Sequence, residues 1–62
     1  MFTLRIETWN AAFGESPEDR DAEIARILRL FANKLENGEI PIASLLRDMN
    51  GNNVGEATFF EP

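Results

Sequence analysis

The stretch Asp48-Met49-Asn50-Gly51-Asn52-Asn53-Val54-Gly55 gathers one carboxylate, three side-chain amides and two glycines into eight residues. Asp48, Asn50 and Asn52 fall at the alternate positions that supply the first oxygen ligands of a calcium loop. The alignment then places Asn53 where such a loop needs glycine, and Phe59 where it needs a bidentate glutamate. With both diagnostic positions wrong and no helix on either side, the stretch is a poor metal site, and no metal ligand or cofactor is assigned. It is a good turn. Asn50-Gly51 between two strand-like runs is a strong hairpin signal, expected as a type I′ turn, and Asn and Asp side chains readily bond nearby backbone amides.

A second constellation is acidic. Glu15, Glu18, Asp19, Asp21 and Glu23 lie within nine residues, with only Arg20 among them. Acids at the start of a helix stabilise it by about 0.3–1 kcal/mol each at low salt, so part of the cluster is helix chemistry. Asp21 and Glu23 carry the negative charge further along the helix than capping requires, and a field of one sign steers a basic partner. A third group, Trp9, Phe13, Leu30 and one of Phe59 or Phe60, supplies aromatic and aliphatic side chains of the kind enriched at binding hot spots. The competing reading is that Phe13 and Trp9 close the ends of a small core.

Catalysis has little to work with. The 62 residues include no cysteine, histidine or tyrosine, which removes thiolate chemistry, the commonest general base and the phenolic proton donor. A glycine-rich phosphate cradle is missing before the helix, and the acids that follow Gly14 would repel phosphate. Paired carboxylates need a cleft, and a chain of this size has little concavity to offer. No enzymatic activity is expected; a residual metal-dependent hydrolase is the least favoured alternative. Eleven acids against six basic residues give a net charge of −5, which disfavours direct nucleic-acid binding and suits a basic protein surface. Ordinary solubility explains the same charge without a partner. No apolar run reaches the length of a membrane span, and the start of the chain does not read as a secretion signal, so a cytoplasmic protein without membrane contact is expected.

These residues must be positioned by few elements. Phe2 to Trp9 alternates with period two, the pattern of a half-buried strand, with Phe2, Leu4 and Ile6 toward the core and Thr3, Arg5, Glu7 and Trp9 opposite. Ser16-Pro17-Glu18-Asp19 starts a helix, Ser16 capping and Pro17 in the first turn. Ile24, Ile27, Leu28, Phe31 and Leu35 form its apolar stripe, and Asn37-Gly38 ends it. Leu30 lies off that stripe. Glu39 to Ala43 is a connector that Pro41 keeps out of a central strand. Ser44–Met49 and Asn53–Phe60 are the remaining strands. On the last one, Val54, Glu56, Thr58 and Phe60 share one face and Asn53, Gly55, Ala57 and Phe59 the other.

The expected fold is α+β, in the order β-α-β-β: a three-stranded, largely antiparallel sheet with one helix packed on one face, forming a single domain over residues 1–62. A chain this short buries only about 60% of its unfolded surface, and a single core of this size rarely supplies more than about 3–5 kcal/mol.

The combination of Asn10-Ala11-Ala12-Phe13, an acidic start to a single helix, Leu46-Arg47-Asp48, Asn50-Gly51-Asn52 and Val54-Gly55 resembles a family of short acidic proteins encoded by bacteriophages and prophages. The likeness covers most of the chain; the connector Glu39 to Ala43 is longer than the pattern suggests. The resemblance brings no catalytic residues. It implies an accessory protein, in the cytoplasm of an infected or lysogenic bacterial host, that binds a host protein and blocks it stoichiometrically. One such class is the anti-CRISPR inhibitors, which act on a CRISPR effector subunit, some as nucleic-acid mimics. Glu15, Glu18, Asp19, Asp21 and Glu23, with Trp9 as an apolar anchor, would then form the partner-binding surface. The alternative is a structural or regulatory phage component acting through homodimerisation.

Overall fold

The computed structural model describes residues 1–40 and 42–60. Strand β1 spans Phe2–Ile6, a 3-10 turn Ala11–Phe13, helix α1 Pro17–Glu36, strand β2 Ala43–Arg47 and strand β3 Asn53–Phe59. The sheet has the order β1-β3-β2 with both pairings antiparallel. The expected α+β architecture, with one helix on a three-stranded sheet, is the observed one. The expectation for Pro41 lies outside the described residues.

Local chemistry accounts for the element boundaries. Ser16 Oγ accepts from the Asp19 amide at 3.1 Å, Pro17 occupies the first turn, and Glu18 and Asp19 meet the positive end of the helix dipole. Gly38, with φ of 71°, takes the left-handed conformation just beyond the helix. Asn10 caps the 3-10 turn, its Oδ1 accepting from the Ala12 amide at 3.0 Å. Gly55 is required for another reason: a Cβ there would lie 1.8 Å from the Arg5 carbonyl oxygen, inside the β1–β3 ladder.

The core is Phe13, Ile27, Phe31, Ile40, Leu46, Val54 and Ala57, with Leu4, Ile6, Ala12, Ile24 and Phe59 packed against it. Phe2 stands at its margin, its ring 5.8 Å from Phe31 and 4.9 Å from Phe59. The stripe expected on α1 is narrower than its sequence suggests. Ile27 and Phe31 are buried, whereas Leu28 and Leu35 are largely exposed, because one helix above so small a sheet covers only its central line.

Three local expectations are corrected. The turn is not type I′: Gly51, with φ of 84°, is its only residue at positive φ, so Asn50 keeps an ordinary backbone angle. The Asp48 amide donates to the Asn52 carbonyl and the Gly51 amide to the Asp48 carbonyl. That is a three-residue loop closed by a left-handed glycine. Next, Val54 does not share a face with Glu56. The register steps from Leu46↔Gly55 to Arg47↔Asn53, leaving Val54 as the extra residue of a bulge, and it turns into the core. Finally, β1 ends at Ile6 rather than running to Trp9. The Glu7 amide still reaches the Val54 carbonyl, but β3 begins at Asn53 and offers Trp9 no partner.

Phe13 is 1% exposed and the largest fully buried side chain, so Phe13→Ala removes about 3–5 kcal/mol. That equals the whole stability expected of a single core this small, about 3–5 kcal/mol. The variant is expected to lose its cooperative unfolding transition in urea, followed by circular dichroism.

Candidate functional site

The chemistry-bearing residues separate into a buried network beneath the β2–β3 turn and an exposed acidic surface at the start of α1. Asp48 is the centre of the first. Although acidic, the residue is only 4% exposed. Oδ1 accepts from the amides of Asn50 and Asn52, each at 2.9 Å, and Oδ2 from Asn10 Nδ2 at 2.8 Å and Asn52 Nδ2 at 3.3 Å. Burial pushes the Asp48 carboxyl up. The donors from Asn52, Asn10 and Asn50 outweigh it and hold the group below the usual carboxylate range.

This arrangement explains why a sequence with calcium-like spacing makes a turn. Four N–H groups point their positive ends at the carboxylate, occupying the directions from which a cation would approach. No group of three or more acidic side chains positioned to hold a metal ion occurs among the described residues.

Glu23 is the second buried acid, 5% exposed. Arg26 grips it with two bonds, Nε to Oε1 at 2.6 Å and Nη2 to Oε2 at 2.9 Å. The amide of Met49 adds a third to Oε2 at 2.8 Å. Its hydrogen bond from Arg26 is the leading reason that its carboxyl is held low, against the opposing effect of burial. Arg26 Nη2 also reaches the Arg47 carbonyl at 3.3 Å. Glu23 therefore leaves the exposed acidic surface on which the sequence placed it and joins α1 to the turn.

The other proposed partner-binding residues stay at the surface. Glu15, Glu18, Asp19 and Asp21 are exposed. Only Asp21 has a basic partner among the described residues, Arg20 at 2.9 Å. Trp9 is 81% exposed, its indole Nε1 donating to Glu7 Oε2 at 3.0 Å. A shallow hollow lined by Thr8, Phe13, Gly14, Glu15, Ser16, Pro17 and Arg20 brings the neighbour of Trp9 to the start of α1. Asp19 packs tightly against Gly14, where a Cβ would lie 2.4 Å from its own Cβ. Of the third constellation, Phe13 is core, while Leu30 and Phe60 are exposed and Phe59 is half-buried.

Sequence reasoning missed Asn10 and the true place of Glu23. Glu23, Ile27 and Phe31 recur every four residues, so the helical period itself puts Glu23 on the buried line, with Arg26 three residues on as its partner. Asn10 left no comparable signal of its place in the network, since its bond to Asp48 joins residues 38 positions apart and only its cap on the Ala12 amide is local.

Both buried carboxyls titrate lower in the folded chain than in the unfolded one, so their contribution is complete above about pH 4–4.5, the ordinary range. It is lost as pH falls through the lower folded values. D48N and E23Q are expected to unfold at lower temperature than the wild type at pH 7. The gap should close progressively below about pH 4. Millimolar calcium or a chelator should leave the wild-type transition unmoved; a calcium-dependent rise would restore the metal reading.

Comparison with protein families, with curated proteins and with solved structures finds no match to this chain.

Proposed function

We propose that this chain is a small accessory protein that binds another protein stoichiometrically through a basic surface on that partner. The contact is made by the start of α1, with Trp9 as its apolar anchor. The observation that carries the reading is how the acids are employed. Glu23 and Asp48 are consumed within the fold. Glu15, Glu18 and Asp19 are exposed and in no ion pair among the described residues. Asp21 is held only by a surface pair, of a kind worth about 0–1 kcal/mol, and exchanges readily for a partner's cation. The binding surface is thus Glu15, Glu18, Asp19 and Asp21 with Trp9, and Glu23 acts by positioning.

The resemblance to phage-encoded proteins extends this reading to a host target. A protein whose basic groove ordinarily holds nucleic acid, such as a CRISPR effector subunit, offers the complementary charge and is blocked by being filled. The alternative, a structural or regulatory phage component acting as a homodimer, draws on the free edges of the sheet.

The two readings respond differently to neutralising the acids. E15Q/E18Q/D21N keeps the side-chain sizes, leaves the Ser16 cap in place and should retain the wild-type circular dichroism spectrum. Partner capture from bacterial lysate, read by quantitative mass spectrometry, should weaken at least about tenfold for this variant and for W9A. Capture by the wild type should weaken as salt rises. A partner held equally by wild type and variants would overturn the acidic-surface reading.

A further inference from the structure

We propose that β2 is a self-pairing edge, through which two copies of this chain join into one continuous six-stranded sheet, at a surface separate from the acidic start of α1. The order β1-β3-β2 leaves β2 with a neighbour on one side only. The Phe59 amide donates to the Ile42 carbonyl, and the register continues through Ser44↔Ala57 and Leu46↔Gly55. In an antiparallel ladder this phase directs the backbone groups of Ile42, Ser44 and Leu46 toward β3, and those of Ala43, Leu45 and Arg47 outward. The outward carbonyls of Leu45 and Arg47 meet only long side-chain contacts, Ser44 Oγ at 3.2 Å and Arg26 Nη2 at 3.3 Å.

An antiparallel pair centred on Leu45 fits this pattern. Leu45 would face Leu45 of the second copy, and Ala43 would face Arg47, so every outward residue meets an outward residue. No like charges stand directly opposite one another, which would be destabilising. The charge distribution along the edge is self-complementary. Glu36 and Glu39 lie where the chain approaches β2, Arg47 lies where it leaves, and Arg47 is in no ion pair among the described residues. A two-fold axis brings each Arg47 opposite Ala43 of the other copy, toward the end of β2 that Glu39 precedes.

Apolar surface supports the same occupant. A groove between α1 and β2 is lined by Ile27, Leu30, Phe31, Lys34, Leu45 and Leu46 among others. Leu30 and Leu45 within it are each 50% exposed. The two-fold pairing keeps both helices on one face of the joined sheet, so the two grooves adjoin across the axis and cover each other's Leu30, while Leu45, which alternates with buried Leu46 and stands opposite exposed Glu56, meets its copy on the other face. The strand also lacks the charges that usually blunt an edge: its sequence is Ala-Ser-Leu-Leu-Arg, with the one charge at its end. The opposite edge, β1, carries Arg5 within it and Glu7 directly after, joined at 2.7 Å.

Sedimentation velocity of the full chain, from low micromolar to about 100 µM, tests the pairing, since mass action raises the dimer with concentration. The wild type is expected to approach twice its 7.0 kDa mass. L45K places two lysines at the axis on an already exposed position and should leave a folded monomer. R47E should weaken the dimer about tenfold, and R47E/E39R should recover part of that loss. The proposal is overturned by a wild type that stays monomeric throughout the range, or by a dimer that folded L45K and R47E leave intact. E15Q/E18Q/D21N should dimerise as the wild type does, so failure of the edge and failure of the acidic surface are read separately.

Discussion

The carboxylate of Asp48 fastens the end of β2 to two other parts of the chain, the turn it opens and the segment after β1. Its oxygens take the amides that would otherwise be unpaired inside the turn, and Asn10 brings in the segment that follows β1. Phe13, the best-buried side chain, lies three residues beyond Asn10 in the 3-10 turn that Asn10 caps. The position of that turn, and hence the filling of the core, therefore follows from a polar contact. A domain with few buried apolar residues relies on such contacts, because the entropy lost in ordering each segment exceeds what its own small hydrophobic surface returns.

Burying a carboxylate is unfavourable unless its lone pairs are satisfied. Here two are buried, and each is satisfied differently. Asp48 is surrounded by neutral amides and keeps its charge through their dipoles, whereas Glu23 is matched by the forked guanidinium of Arg26. The Met49 amide on Glu23 connects the two centres, since Met49 follows Asp48 in the chain. Among the described residues no buried side-chain nitrogen or oxygen lacks a partner. The network therefore fixes where α1 crosses the sheet without leaving an unsatisfied group, which makes it a positional device as much as a stabilising one.

The parts legible in the sequence were those written by neighbouring residues. Ser16-Pro17 marked the helix start, Asn37-Gly38 its end, and the alternation of Phe2, Leu4 and Ile6 the first strand, because caps and pleats depend on bonds within a few residues. The turn was legible as a turn but not in its type. Asn50-Gly51 satisfies either loop, and the choice fell to Asp48, whose position leaves Gly51 as the single left-handed residue. Val54 was misplaced for a related reason: the bulge adds a residue to β3, and strict alternation cannot register an addition that only the partner strand reveals. Glu23 shows the opposite case. Its period was correct for the core, and its charge masked it.

Charge must accordingly be apportioned before it is interpreted. The close pairs of Arg5 with Glu7, Arg20 with Asp21 and Arg26 with Glu23 cancel locally and leave the net charge of −5 unchanged, but they change where it resides. Of the exposed acids without a basic partner among the described residues, Glu15, Glu18 and Asp19 gather at the start of α1 and Glu36 and Glu39 lie at and just beyond its end, while Arg29 and Lys34 belong to its later half and Arg47 to the end of β2. A helix of 20 residues is about 30 Å long at 1.5 Å per residue, several times the Debye length of about 8 Å at physiological salt. At that distance the acidic start hardly perturbs charges around the last turn of α1. A basic partner at one end and a second copy along β2 are therefore electrostatically compatible, and the fold can present both surfaces from a single small core.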